Sequence, residues 1–222
     1  MGRPRSDIGP RIVHAARERF LAEGVDGASL RTIAADAKTS VGMVYYYFPT
    51  KDDLFLAVVE EVYGALLRDL EEAILSAATV EARLRRASTR IGGASALELD
   101  VVRLVLREAL VPSSRLDRLF ARFTTGHIAL LAGTLREGVA EGAVDATVPP
   151  PLLLLSTLAM VALPQLLVRA MGERAPALVG LPKGDELAEH LVRLLLHGIA
   201  PGAAVASPPP ARAAPRRRRR PG

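Results

Sequence analysis

Three consecutive tyrosines, Tyr45, Tyr46 and Tyr47, hold most of the phenolic hydroxyl groups of this chain, which contains four tyrosines in total. A tyrosine hydroxyl can donate to a phosphate oxygen while its ring contacts a thymine methyl group or a sugar. Lys51 follows, beside the start of the next predicted helix, where its ammonium group and free backbone N–H groups can together bind a phosphate. These residue types at this spacing indicate contact with a nucleic acid.

Three predicted helices position these side chains. The first begins near residues 7–10, repeats apolar residues at helical spacing and ends at Gly24. Ser29 and Ser40 are candidate N-caps of the two short helices that follow, because a serine hydroxyl can accept a backbone N–H of the first turn. Two short helices in tandem, supported by a preceding helix, form a helix-turn-helix. The alternative is a plain three-helix packing unit with an exposed aromatic turn.

The second short helix is the candidate recognition helix. A helix fits the major groove of DNA, which is ~12 Å wide, but a helix this short stays folded only by packing against its neighbours. Val44 and Phe48 lie four residues apart and can turn inward. Arg31, at the start of the preceding helix, can reach a phosphate or a guanine edge. The side chains left to face outward in some combination are Val41, Gly42, Met43, Tyr45, Tyr46 and Tyr47.

The composition favours an all-α protein. Of 222 residues, 50% are hydrophobic and 4% aromatic, with no Trp, so that Leu, Val and Ala must build the core. The chain has no Cys, which excludes disulfides and cysteine nucleophiles, and its N-terminus has no apolar signal segment. We therefore expect a cytoplasmic protein. The sequence contains neither a phosphate-binding loop nor a nucleophile elbow, so no motif indicates an enzyme. No cofactor or metal site is predicted.

The chain divides into three predicted regions of different charge. A DNA-binding domain at 1–51 holds eight Lys and Arg against five Asp and Glu, and a helical domain at 52–200 holds fifteen against nineteen. We call residues 1–51 the head and residues 52–200 the body. A basic head and an acidic body indicate that the head binds a polyanion such as DNA. Residues 201–222 form a predicted disordered tail, whose arginines either add non-specific DNA affinity or are only solvated. About nine helices are expected, the later ones at 80–92, 96–110, 113–141, 151–171 and 184–199.

The head resembles the TetR/AcrR family of transcriptional regulators over about the first 55 residues, because the spacings of four motifs agree together. These motifs are Ile12-x-x-Ala15-Ala16-x-x-x-Phe20-x-x-x-Gly24, Leu30-x-x-Ile33-Ala34, Ser40-x-Gly42-x-Val44-Tyr45-x-Tyr47-Phe48 and Lys51-x-x-Leu54. The resemblance implies an all-helical homodimer. Its first three helices bind a palindromic operator, and its larger domain binds a small effector that releases the DNA.

The resemblance also implies which residues lie at or near DNA, and it likens Arg3 and Arg5 to a basic arm along the minor groove. The predicted DNA-binding residues are Arg3, Arg5, Ser29, Arg31, Ser40, Val41, Gly42, Met43, Tyr45, Tyr46, Tyr47 and Lys51. A ligand-responsive repressor is the main functional prediction. An architectural DNA-binding protein without effector control is the alternative.

Two positions depart from the family pattern. Lys38-Thr39 stands where the family usually has Gly-Val, so either Lys38 adopts a positive φ with mild strain or the turn is built differently. Val41 stands where a polar or basic residue is common, which favours contact with a thymine methyl group over a hydrogen bond.

The stretch from Ala146 to Val168 contains no charged residue. Such a stretch is typical either of a membrane span, which needs about 20 residues, or of a helix buried at a dimer interface. Pro164 interrupts it and three prolines precede it, so we predict no membrane segment. The resemblance instead implies that the helices near 151–171 and 184–199 pair in a homodimer.

Glu108, Phe123 and His127 are the candidate effector-binding residues, since each lies in line with apolar positions of a predicted helix. Glu108 and His127 could orient a polar group of a ligand in an apolar cavity. The alternatives are a helix-capping or ion-paired Glu108 and a hydrogen-bonded interior His127. His190 and His197 share one helical face, and surface or interface histidines explain them better than a metal site does.

Overall fold

The computed structural model describes residues 7–109, 113–171 and 180–198, which form helices and connecting turns without a strand. Arg3, Arg5 and the predicted tail at 201–222 lie outside the described residues. The helices are α1 (Ile8–Gly27), α2 (Leu30–Asp36), α3 (Val41–Tyr47), α4 (Lys51–Leu75), α5 (Val80–Gly92), α6 (Ala96–Ala109), α7 (Ser114–Thr124), α8 (His127–Ala140), α9 (Pro150–Val161), α10 (Leu163–Met171) and α11 (Gly184–His197). The prediction of an all-α fold with an N-terminal helix-turn-helix is confirmed.

Of the two serine N-caps predicted from the sequence, one forms the expected hydrogen bond. The hydroxyl of Ser40 accepts the backbone N–H of Met43, which satisfies one free donor at the start of α3. Ser29 occupies the N-cap position of α2, but its side chain makes no capping hydrogen bond. Thr50 and Asp53 form a reciprocal capping box at the start of α4.

Two of the predicted helices are each divided in the structure. The expected helix 113–141 is divided at Gly126, where a Cβ atom would lie 2.1 Å from the hydroxyl oxygen of Tyr63. The expected helix 151–171 is divided at Ala162, because Pro164 has no N–H for the helical ladder. Helix α1 is interrupted at Gly24, as predicted, because Gly24 adopts a non-helical φ of 78°, and a short helical segment continues from there to Gly27.

Helix α4 runs through two apolar clusters. The first cluster contains Phe20 and Val44 of the head together with Phe55, and it extends to Leu104 of α6 and Leu119 of α7. The head is therefore packed directly on helices of the body. The second cluster surrounds the other end of α4 and contains Leu70, Ile74, Leu84, Leu131, Leu135 and Val192.

Candidate nucleic-acid interface and internal cavity

Helix α3 presents two tyrosines to solvent. Val44 is fully buried in the head, whereas the side chains of Tyr45 and Tyr46 are 52% and 78% exposed. Tyr47 is half-buried against the core and its ring meets that of Tyr46 edge-on, with centroids 5.4 Å apart. Of the three tyrosines, Tyr45 and Tyr46 therefore have the most ring surface available for contact with DNA.

The remaining predicted DNA-binding residues surround these tyrosines in sequence. Ser29, Arg31, Ser40 and Gly42 are exposed. Val41 and Met43 are half-buried, and Val41 packs against the core of the head. This placement leaves Val41 only part of its side chain for an apolar contact outside the protein.

Lys51 lies at the first position of α4 and is already engaged. Its Nζ donates to the backbone carbonyl oxygen of Asp26 across 3.0 Å. The hydroxyl of Thr50 takes up the backbone N–H of Asp53, so that the capping box occupies one of the helix donors predicted for phosphate. Lys51 therefore attracts an anion mainly through its positive charge and less through free hydrogen-bond donors.

Lys38 in the turn between α2 and α3 adopts a φ of 52°, the single positive value among the described non-glycine residues. The alternative left open by the sequence is thus resolved in favour of a strained lysine at the usual glycine position. Left-handed backbone costs an L-residue about 1–2 kcal/mol.

A cavity of about 240 Å³ lies inside the body, between α4 and the helices from α5 to α10. Along α4 it is lined by residues from Val59 to Ile74, a length of about 22 Å at the helical rise of 1.5 Å per residue. Its lining is almost entirely aliphatic, and its polar side chains are Tyr63, Glu98 and His127. The cavity is therefore long, apolar and poor in charge.

His127 and Phe123 both line this cavity, as predicted, and Tyr63 joins them. The Tyr63 hydroxyl accepts the backbone N–H of His127 at 3.2 Å and lies 2.9 Å from its Nδ1. Since the hydroxyl hydrogen is then available to Nδ1, we assign the imidazole proton to Nε2. Burial, with a smaller contribution from the charge of Arg122, lowers the pKa of His127 to about 4. The ring is a neutral donor at neutral pH.

Glu108 is not among the residues that line the cavity. It is buried, and its carboxylate accepts from Nε of Arg115 at 3.0 Å. This ion pair matches the structural alternative for Glu108, and we do not retain Glu108 as an effector-binding residue. The sequence prediction missed Tyr63 and Glu98, although Tyr63 stands on the apolar face of α4, where a hydroxyl group needs a partner.

Residues 12–58 match the family model of the bacterial regulatory proteins of the tetR family. Residues 12–58 therefore form a tetR-type N-terminal domain. The matched residues cover α1, α2, α3 and the start of α4, which carry the predicted DNA-binding residues except Arg3 and Arg5.

Two curated relatives agree with this match. The fatty acid metabolism regulator protein of Bacillus subtilis is 27% identical over 135 residues, which make up 59% of this chain and 68% of the relative. The transcriptional repressor NicS of Pseudomonas putida is 35% identical over 74 residues, or 33% of this chain. That match covers only 35% of NicS.

Solved structures extend the likeness to the whole fold. The transcriptional regulator FadR of Bacillus subtilis, in complex with stearoyl-CoA, has a TM-score of 0.68 at 22% identity and covers 86% of this chain and 99% of its own. The fatty acid degradation regulator FadR of Bacillus halodurans has a TM-score of 0.63 at 18% identity, with 86% and 99% covered. At these identities the likeness establishes the fold.

The chain also has an exposed apolar face on α9 and α10. Residues Pro150–Met171 have a mean hydropathy of 2.0 and are long and apolar enough to span a membrane by length and composition. Val161 and Gln165 point into the subunit and are buried. The exposed residues of this face are Leu152, Leu155, Leu163, Leu167 and Met171.

Helix α11 contributes less to that face than its leucine pattern predicts. Leu187 and Leu191 are buried within the subunit, while Leu194 and Leu195 are half-buried. His190 lies beside Arg193, at 2.9 Å from Nδ1 to the guanidinium.

Proposed function

We propose that this chain is a cytoplasmic repressor of the TetR family that binds a palindromic operator as a homodimer and releases it when the apolar chain of a small-molecule effector fills the cavity. The observation that carries the proposal is the combination of an exposed Tyr45–Tyr46 surface on α3 with an apolar cavity in the same chain. A DNA-binding protein without effector control has no reason to keep such a cavity.

The DNA-binding surface of the proposal is α3 with its neighbours. Tyr45 and Tyr46 contact phosphates, sugars or thymine methyl groups in the major groove, and Gly42 allows close approach of the backbone. The proposal keeps the other predicted DNA-binding residues, which are Arg3, Arg5, Ser29, Arg31, Ser40, Val41, Met43, Tyr47 and Lys51.

The homodimer of the proposal forms through α9 and α10, with α11 at their side. Two copies can bury these exposed leucines against each other, which gives an apolar interface of the obligate type. A symmetric dimer then presents two copies of α3 to two half-sites of a palindrome.

The effector of the proposal is a long aliphatic chain with one hydrogen-bond acceptor. The aliphatic lining along α4 suits a hydrocarbon chain, and Nε2 of His127 offers one neutral donor, which suits a carbonyl oxygen better than a charged carboxylate. The name of the Bacillus subtilis relative and the stearoyl-CoA in the FadR structure support a fatty acyl group.

The proposal is tested with a DNA duplex that the protein selects from a random pool. Fluorescence anisotropy measures the dissociation constant of the duplex alone, with stearoyl-CoA, with coenzyme A and with nicotine. We expect stearoyl-CoA to weaken DNA binding by at least about fivefold, the lower end of typical allosteric coupling, and coenzyme A to have no effect. Release by nicotine alone would overturn the acyl effector, and release by none of the three would favour constitutive DNA binding.

A further inference from the structure

Arg115 joins three segments of the chain that are far apart in sequence. Its side chain is 8% exposed at the start of α7. Nε donates to Glu108 of α6 at 3.0 Å, Nη1 donates to Asp52 of α4 at 3.1 Å, and Nη2 lies 2.9 Å from a carboxylate oxygen of Asp26. Most of the donors of one guanidinium group are therefore committed to three carboxylates.

Two of these carboxylates border Lys51. Asp52 follows Lys51 in the first turn of α4, and the backbone oxygen of Asp26 accepts from Nζ of Lys51. Arg115 thus holds both segments that fix the position of Lys51. It also neutralises two acidic groups that would otherwise repel a DNA phosphate near that lysine.

The third carboxylate connects Arg115 to the cavity. Glu108 stands near the end of α6, whose Val101, Val105 and Leu106 line the cavity. Helix α7, which carries Arg115, contributes Phe123 to the same lining. A ligand that displaces α6 or α7 must therefore displace Glu108, Arg115 or both.

The contacts of Arg115 differ in strength. The side chains of Arg115 and Glu108 are 8% and 7% exposed, so both partners of this pair are buried. Separating them would leave two charged groups with neither a partner nor water. The side chain of Asp26 is 75% exposed, and such a pair is weakened by solvent screening. When the body shifts, the contact with Asp26 is the one that breaks first.

We propose that Arg115 is a positioning residue, which fixes the Lys51 region of the head to the cavity-lining helices α6 and α7 through Asp26 and Asp52. Its contact with Asp26 is the link through which an effector in the cavity lowers DNA affinity. This inference rests on the proposed function, because it needs an effector and a DNA duplex.

The test uses Asp26→Asn, which removes the charge of an exposed side chain without leaving a buried charge alone. We expect the variant to bind stearoyl-CoA within twofold of the wild type and to bind the selected duplex more weakly than the wild type in the absence of stearoyl-CoA, because the contact that fixes the Lys51 region is already lost. The factor by which stearoyl-CoA weakens DNA binding should fall to less than a third of the wild-type factor. An unchanged factor would overturn the proposal.

Asp36→Asn is the matched control. Asp36 is an acidic residue of the same head, but its partner Arg19 lies in α1, within the head. The control removes the same charge without touching the link to the body, so its release factor should equal that of the wild type. If both variants lose release equally, head charge alone explains the effect and the role of Arg115 is refuted.

A second measurement keeps the inference testable if stearoyl-CoA does not release DNA from the wild type, a result that would count only against the proposed effector. Hydrogen exchange of the backbone amides at 24–29 and 51–54 is compared between wild type, Arg115→Gln and Arg118→Gln. We expect at least tenfold faster exchange at 24–29 in Arg115→Gln but not in Arg118→Gln, because Arg118 pairs with Asp53 and not with Asp26 among the described residues. If Arg115→Gln does not fold, Asp26→Asn takes its place for residues 24–29. Unchanged exchange there would reject the link.

Discussion

The hydroxyl oxygen of Tyr63 lies 2.9 Å from Nδ1 of His127 and at the same time accepts the backbone N–H of that histidine. One hydroxyl group therefore fixes both the start of α8 and the orientation of the imidazole ring in the cavity. Gly126 makes this possible, because any side chain there would collide with the hydroxyl.

The buried imidazole predicts how stability depends on pH. Burial lowers the pKa of His127 from 6.5 to about 4, so between these values the unfolded chain binds a proton that the folded chain does not. The contribution to the free energy of unfolding is complete above pH 6.5 and is lost as the pH falls towards 4, by up to about 3 kcal/mol in total.

Urea unfolding of the wild type and of His127→Gln between pH 7.5 and pH 4 measures this contribution. The variant should lose less stability than the wild type over that range, and His190→Gln, with its side chain outside the cavity, should follow the wild type. Parallel curves for wild type and His127→Gln would contradict a neutral buried imidazole.

Lys51→Ala should weaken binding to every DNA sequence. Since Lys51 is expected to neutralise one phosphate, its loss should reduce the slope of log affinity against log salt by roughly one. Anisotropy titrations at several salt concentrations give this slope. Arg68→Ala, an exposed position of α4 beyond the head, is the control, and a slope that stays unchanged in Lys51→Ala would refute the phosphate contact.

Tyr46→Ala should weaken binding to the selected duplex by ~1 kcal/mol or more, because the exposed ring and hydroxyl lose their contacts with DNA. Tyr45→Ala should act in the same direction. Phe120→Ala removes a ring of α7 that is 52% exposed, like that of Tyr45, and should leave DNA affinity unchanged. Equal affinity of all three variants would mean that another surface contacts the groove.

Lys38→Gly should stabilise the protein. Glycine relieves left-handed strain of about 1–2 kcal/mol but loses about 0.5–1 kcal/mol through its more flexible unfolded chain. The net gain is up to about 1.5 kcal/mol, measured by urea unfolding. Lys38→Ala keeps the Cβ atom and should bring no gain; if it stabilises as much as glycine does, the lysine side chain and not the backbone is the source of strain.

The features that local sequence determines were predictable. Ser40 identified the start of α3 because a cap depends only on the next three residues, and the comparison with a glycine position gave strain at Lys38 as one of two alternatives. The alternation of buried Val44 with exposed Tyr45 and Tyr46 follows from helical geometry.

The features that depend on contacts between residues distant in sequence could not be predicted. His127 is held by a tyrosine 64 positions earlier, and Arg115 binds a carboxylate 89 positions earlier. Glu108 stands in an apolar line that predicts a cavity position, but its carboxylate turns to Arg115 instead. Such pairings depend on how α6, α7 and α4 pack against each other. The periodicity of a single helix carries no information about this packing.

The exposed face of α9 and α10 predicts the effect of a charge on assembly. Leu155 is 64% exposed in the isolated subunit, and in the proposed dimer it is buried against the partner. Leu155→Glu would place an unpaired carboxylate in an apolar interface, which is costly enough to favour the monomer. Sedimentation equilibrium should therefore show a monomer at concentrations where the wild type is a dimer, and binding to a palindromic duplex should weaken with it.

Leu75→Glu is the matched control for assembly, because Leu75 is 69% exposed at the end of α4 and lies outside α9, α10 and α11. Since this substitution adds the same charge to an equally exposed leucine, a general loss of solubility or stability would affect both variants alike. A dimeric Leu155→Glu, or a Leu75→Glu that dissociates equally, would move the interface away from α9. We expect the monomeric Leu155→Glu to keep its helical content and its affinity for stearoyl-CoA, because the cavity lies within one subunit. Such a variant would separate effector binding from dimerisation, since recognition of two half-sites requires both subunits.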